Sequence, residues 1–212
     1  MTVSVLVSLA ACSRGGGVKS PSTAVIEYFE GEVTVNGRTP ELGQTLLRKF
    51  SVKTGSGAYC GIIFDKKNIM HVDENTTAVI DLSGLQKKVE LSAGSLGSAL
   101  RNLPKQLASG TDSFMLTSPS AVAGIRGTVF YVRVEDGNNT YICDCNGIVH
   151  MRDIGKGNER TVEATHHAAY RYTRGGGAIT SAQADMLYHS DQMMELGAAR
   201  IGETIDWTRV ER

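Results

Sequence analysis

Ala24-Val25-Ile26-Glu27-Tyr28-Phe29-Glu30-Gly31-Glu32-Val33-Thr34-Val35-Asn36-Gly37 is the stretch whose reading decides the fold. Ala24 to Phe29 alternates and passes through Glu30-Gly31 into a second short run, Glu32 to Val35. A period of two puts successive side chains on opposite faces of a strand. Asn36-Gly37 is a strong two-residue hairpin signal, because both positions tolerate positive φ. The stretch therefore reads as the opening of a β-meander.

The same pattern continues outward. Strands are expected at Phe50 to Lys53, Ala58 to Phe64, Asn68 to Val72, Thr77 to Leu82 and Lys87 to Leu91. Turns fall at Thr54-Gly55, Asp65-Lys66 and Ser83-Gly84. Strands resume at Ser113 to Thr117, Thr128 to Val134, Thr140 to Cys145, Ile148 to Met151 and Arg160 to Ala164. About ten residues per strand suits a two-sheet β-sandwich or a short β-solenoid. Between the two series, Leu96, Leu100, Leu103 and Leu107 have helical spacing, so a connection of one or two helical turns is expected there, ended by Pro104. Near the C-terminus the period changes again. Met194, Ala198, Ile201 and Ile205 share one helical face, Ser190 can cap it, and Asp191 favours the positive end of the helix dipole. This amphipathic helix should dock on the sheets, with Trp207 as an anchor.

Composition narrows the function. Lys plus Arg number 22 and Asp plus Glu number 22, so bulk charge favours neither nucleic acid nor an anionic membrane surface as partner. Neither a Ser-His-Asp set nor paired carboxylates stand out, and Gly175-Gly176-Gly177 lacks the Lys and helix start of a phosphate loop. The chain reads as a non-enzyme.

Leu9-Ala10-Ala11-Cys12, behind the apolar run Val3 to Ser8, resembles the lipobox of a bacterial lipoprotein signal peptide. That resemblance implies cleavage before Cys12 and lipid on its thiol, the only expected membrane attachment. The expected organisation is a signal peptide at 1–11, a Gly/Ser-rich tether at 12–23, a β domain at 24–151 and a C-terminal extension at 152–212. Ser13 after the lipidated cysteine is compatible with outer-membrane sorting, with the domain facing the periplasm.

Several motifs in the β domain point to one family. They are Gly31-Glu32-Val33-Thr34-Val35, Val52-Lys53-Thr54-Gly55-Ser56-Gly57-Ala58, Leu91-Ser92-Ala93-Gly94-Ser95-Leu96, and above all Thr117-Ser118-Pro119-Ser120-Ala121-Val122-Ala123-Gly124-Ile125-Arg126-Gly127-Thr128-Val129-Phe130, followed by Asn146-Gly147-Ile148-Val149. In this order they resemble the FecR domain of Gram-negative envelope signalling proteins. The resemblance implies a periplasmic, non-catalytic, all-β module that binds a ligand or an envelope protein, in sensing or in envelope organisation. Gly124 and Gly127 flank Arg126 beside Thr128, and these four are expected to be structural or partner-binding. A guanidinium placed there can tie carbonyls of several turns together.

With Cys12 lipidated, Cys60, Cys143 and Cys145 remain, which permits at most one disulfide. Bridging Cys143 to Cys145 along one strand would strain the bond. Cys60 with either of them is one reading, and three free thiols is the other. Thr140 to Met151 reads as a hairpin on Asn146-Gly147, which sets Cys143 opposite His150 and collects Cys143, Cys145 and His150 on one face. His166, His167 and His189 could add a ligand, although neighbours His166 and His167 point to opposite faces of a strand. This is ligand chemistry for zinc, iron or haem, and so the second functional reading is a metal-binding or redox-sensing protein. The alternative for the same residues is packing, with the cysteines in the core and the histidines paired or exposed. His71, alone on its strand, reads as structural.

Overall fold

The structure is a computed structural model and describes residues 23–103 and 111–211. The signal peptide, lipobox and nearly all of the tether lie outside the described residues, as do Pro104 and Leu107 of the expected helical connection.

The architecture is a two-layer β-sandwich with one short C-terminal helix. The first strands are β1 (Ala24–Glu30), β2 (Val33–Val35), β3 (Thr45–Leu46), β4 (Lys49–Thr54), β5 (Tyr59–Phe64), β6 (Asn68–Val72), β7 (Thr77–Asp81) and β8 (Lys87–Leu100). There follow β9 (Phe114–Thr117), β10 (Ala121–Ile125), β11 (Val129–Val134), β12 (Asn139–Asp153), β13 (Arg160–Ala164), β14 (Ala168–Gly175), β15 (Ala178–Ala184) and helix α1 (Asp191–Ala199). One sheet runs β3-β1-β5-β6-β8-β11-β12-β14-β15. The other runs β2-β4-β7-β8-β9-β10-β12-β13, with β8 and β9 parallel and all other neighbours antiparallel.

Two long strands, β8 and β12, belong to both sheets. Lys88 to Ala93 of β8 pair with β7, and Gly94 to Ala99 pair with β11. Asn139 to Asp144 of β12 pair with β14, and Gly147 to Met151 pair with β13. Each strand changes sheet at a glycine with positive φ, +76° at Gly94 and +140° at Gly147, values that a side chain strongly disfavours.

Gly147 explains the main departure from the sequence reading. Asn146-Gly147 is not a hairpin turn; it bends a continuous 15-residue strand from one sheet into the other. His150 is therefore on the second sheet, away from Cys143. Likewise Leu96 to Leu100 continue β8 rather than starting a helix, because cross-strand pairing to β6 and β11 overrides the leucine spacing. Asn36-Gly37 does form the tight turn, with Val35 and Arg38 exchanging backbone hydrogen bonds, but β2 pairs with β4 beyond that bridge. The domain boundary expected at Met151 falls inside β12.

The inward faces of the two sheets form the main core, including Ile26, Phe64, Phe114, Phe130, Val132 and Ile142. The outward face of the first sheet carries a second apolar layer: Ile69, Val129, Tyr131, Tyr141, Cys143 and Cys145, against Met194 and Ala198 of α1. Ser190 is the N-cap, with extended φ and a side chain that accepts from the Met193 N–H. A strap formed by residues 206–211 follows the helix. Asn146 Nδ2 donates to the carbonyls of Thr165, Asp206 and Arg209 at 2.7, 3.1 and 3.0 Å, and its Oδ1 accepts from the Glu211 N–H at 3.3 Å.

Candidate functional site

The alternation of β12 turns Tyr141, Cys143 and Cys145 toward the outer face of the first sheet, while Ile142 and Asp144 point inward. Both cysteines are fully buried. His167 arrives from the turn between β13 and β14. There it adopts φ +42°, and its backbone N–H donates to the Cys145 carbonyl at 3.0 Å. His189 arrives from the segment leading into the Ser190 cap. One atom from each of Cys143, Cys145, His167 and His189 lies within 4.8 Å of all the others. Cys143 Sγ is 3.5 Å from His167 Nδ1, Cys145 Sγ is 3.3 Å from His189 Nε2, and the two ring nitrogens are 3.2 Å apart.

The ring nitrogens that face away from this centre are engaged. His167 Nε2 is 2.7 Å from Asp191 Oδ1, and His189 Nδ1 is 2.7 Å from the Leu187 carbonyl. Aromatic rings close the sides. Tyr131 stacks on His189 with centroids 4.5 Å apart, and Trp207 stacks on His167 at 5.2 Å. The electrostatics favour one thiolate. Hydrogen bonding from Cys145, and then from His167 and His189, draws the Cys143 thiol down to about 4 in spite of its burial. Burial and the neighbouring Cys143 push the Cys145 thiol up.

The other residues singled out by sequence lie elsewhere. His150 Nδ1 is 3.2 Å from Asp112 Oδ2, and Arg126 Nε donates to Asp112 Oδ1 at 2.8 Å, so Asp112 joins the two side chains in a cluster on the second sheet. Arg126 thus engages a carboxylate. An added Cβ at Gly124 would lie 2.0 Å from Asp112 Oδ2, which accounts for glycine there. The Thr128 hydroxyl bonds Asp144 Oδ1 and the Asn146 carbonyl. His166 is exposed and reaches Asp191 Oδ2 at 3.0 Å, and it is not among the four side chains that meet at the cysteines. Cys60 is a free, buried thiol of the main core, whereas Cys143 and Cys145 sit in the outer layer, so the disulfide reading is replaced by three free thiols. Asp191 and Tyr131 were not legible as neighbours of the cluster, since each comes from an element distant in sequence.

A groove adjoins the cluster. Between α1 and the first sheet lies a cavity of about 470 Å³ that includes Tyr28, Tyr59, His71 and Arg200. A second, of about 320 Å³, shares Tyr59, His71 and Met193 and continues to Tyr131, Arg133 and Tyr188. His71 bridges the Tyr28 hydroxyl at 2.6 Å and Asp73 at 2.9 Å, and Tyr131 donates to Asp73 at 3.0 Å. Arg200 lies over the Tyr28 ring at 4.1 Å, and Arg133 over Tyr188 at 4.8 Å.

Residues 50–147 match the family model described as FecR protein. Two crystal structures described as those of an anti-sigma factor from Parabacteroides distasonis ATCC 8503 have a similar fold. One superposes with a TM-score of 0.51 at 11% identity, over 65% of this chain and 61% of that chain. The other gives 0.50 at 12% identity, over 64% and 60%. This chain spans about three-fifths of the length of these structures, and at such identity the likeness establishes the fold alone. No curated protein sequence matches the chain. The family match contains Cys143 and Cys145 and ends before His167 and His189.

Proposed function

We propose that this chain, which carries a FecR domain over residues 50–147, is a non-catalytic sensing module of the cell envelope. It is held by lipid on Cys12, faces the periplasm from the outer membrane, and acts by binding rather than by chemistry. The observation that carries this reading is the groove beside α1. It is lined by aromatic rings, with Arg200 and Arg133 lying over two of them. Such a surface suits recognition: the rings offer contact area at low entropic cost, and the arginines offer orientation. The likeness to structures described as an anti-sigma factor supports a regulatory output.

The test is made on the full chain expressed in a Gram-negative host. Metabolic labelling with a fatty acid should mark the wild type and not Cys12→Ser, and sucrose-gradient fractionation should place the wild type with outer membranes. A photo-crosslinking residue at Tyr59, in the groove, should give a discrete adduct that one at Leu85, an exposed site elsewhere, does not. An unlabelled, cytosolic product overturns the anchoring. Equal adducts at both positions overturn the groove as the recognition surface.

A further inference from the structure

We infer that Cys143, Cys145, His167 and His189 hold one zinc ion in a closed tetrahedral site that fastens the C-terminal arm to the outer face of the first sheet. This goes beyond the recognition reading and stands independently of the lipid anchor and of any partner.

Ligand spacing is the first argument. Zinc bonds of about 2.3 Å to sulfur and about 2.0–2.1 Å to nitrogen, at tetrahedral angles, imply sulfur–nitrogen edges near 3.6 Å and a nitrogen–nitrogen edge near 3.3 Å. The corresponding separations are 3.5, 3.3 and 3.2 Å. Three of the six edges of a zinc tetrahedron are thus already near their expected lengths, and all four donor atoms lie within 4.8 Å of one another.

Proton placement is the second. The Leu187 carbonyl can only accept, so His189 carries its proton on Nδ1 and turns the lone pair of Nε2 to the centre. The Asp191 carboxylate does the same for His167, fixing the proton on Nε2 and freeing Nδ1. A carboxylate or a carbonyl behind each imidazole is the usual support of a metal-bound histidine. Two ring lone pairs and two sulfurs facing one another in a buried space need either shared protons or a cation among them, and a metal ion that displaces the thiol protons satisfies all four donors at once.

Donor chemistry then selects the ion. Two thiols and two imidazoles suit zinc and disfavour the oxygen-seeking magnesium and calcium. Oxidation of the pair to a disulfide is a poor competitor. Residues two apart on a strand have Cα atoms about 6.7 Å apart, at the outer limit of the disulfide range. All four corners come from protein, and Tyr131 and Trp207 stack against the two rings. A closed site of this kind is structural, since catalytic zinc keeps one position for water or substrate.

The architecture states what the ion would join. Two ligands lie inside the FecR match and two outside it, on the β13–β14 turn and the segment before α1. His189 is separated from Cys145 by 44 positions, so the ion would close a long loop and dock α1 beside the groove.

The test uses the full chain, purified without chelator. Elemental analysis should find about one zinc per chain. After chelation, titration with Co²⁺ should saturate at one equivalent, with thiolate-to-cobalt absorption in the near ultraviolet and intense visible bands of a tetrahedral centre. The double variant Cys143→Ser, Cys145→Ser and the single variant His189→Ala should lose both signals. His150→Ala and Cys60→Ala, which change residues away from the four ligands, should keep them, and because these controls report ligand identity, the result does not depend on the cysteine variants folding. A purified chain free of zinc whose Co²⁺ spectrum stays that of the hydrated ion overturns the inference. So does loss of the bands in His150→Ala with retention in His189→Ala.

Discussion

The Thr128 hydroxyl occupies the space where a side chain on Gly147 would begin, 2.0 Å from the position of an ideal Cβ. The Thr128 Cβ lies 2.3 Å from the same point, and its backbone Cα 3.0 Å, so shortening the threonine would not make room. Gly147→Ala should therefore cost about 3 kcal/mol or more, combining the strain of φ +140° with overpacking. Urea denaturation of the two proteins measures this, and a loss under 1 kcal/mol would contradict it.

Zinc loss should be visible as melting. An ion present at a thousandfold excess over its dissociation constant stabilises by about 4 kcal/mol, which for a domain of this size is roughly 8–16 °C in Tm. A scan with excess chelator should show that drop in the wild type. It should show none in the Cys143→Ser, Cys145→Ser variant.

Cys60 should be chemically silent. Burial pushes its thiol up to about 12, so almost no thiolate exists at pH 8 and the sulfur is inaccessible. Iodoacetamide should label Cys60 only after denaturation, by peptide mass mapping. Cys60→Ala should leave the metal content unchanged and cost roughly 1 kcal/mol of packing.

Asn146 should govern the strap at the C-terminus. Its side chain makes four hydrogen bonds to the backbone, three of them to Asp206, Arg209 and Glu211. Replacing it by Ala should cost about 2–3 kcal/mol, since a buried side chain that joins four backbone groups is lost. Limited trypsin digestion should then cut after Arg209 faster than in the wild type, while the β-sheet core resists as before.

The Glu135–Arg171 pair should contribute stability only above the carboxylate range. Arg171 donates to both Glu135 oxygens at 2.7 Å, and Tyr188 donates at 2.6 Å. Burial raises the Glu135 pKa, but these bonds outweigh it and hold the carboxyl below its ordinary 4.5. A depressed folded value means that the stabilisation is complete above about pH 5 and is lost as pH falls through the folded value. Glu135→Gln should thus destabilise by about 1 kcal/mol at pH 7 and by little at pH 3, as read from paired denaturation curves.

The legible parts of this fold were those where a strand lies within one sheet. Asn68 to Val72 and Arg160 to Ala164 read to the residue, because alternation and flanking turn residues agree there. The misreadings cluster where a strand serves two sheets. Asn146-Gly147 carries a turn signature, yet Gly147 bends the chain without reversing it, and no local pattern separates those uses. Leu96 to Leu100 look helical by spacing, yet cross-strand partners decide them. Of the candidate site, Cys143 and Cys145 were assigned to a common face correctly by alternation. Their partner was set by the mistaken hairpin as His150, whereas His167 and His189 reach the thiols through pairings that only the tertiary fold specifies. Ala168 to Gly175 and Ala178 to Ala184 form a further hairpin, not among the expected strands, whose two-residue turn is Gly176-Gly177.

The double membership of β12 bears on how the molecule comes apart. A strand whose first half closes one sheet and whose second half closes the other cannot leave one layer without tearing the other. β8 imposes the same condition from the opposite side of the core. Neither layer is an independent cooperative unit, so unfolding of the described β domain should be all-or-none, with partial openings confined to β15, α1 and the strap.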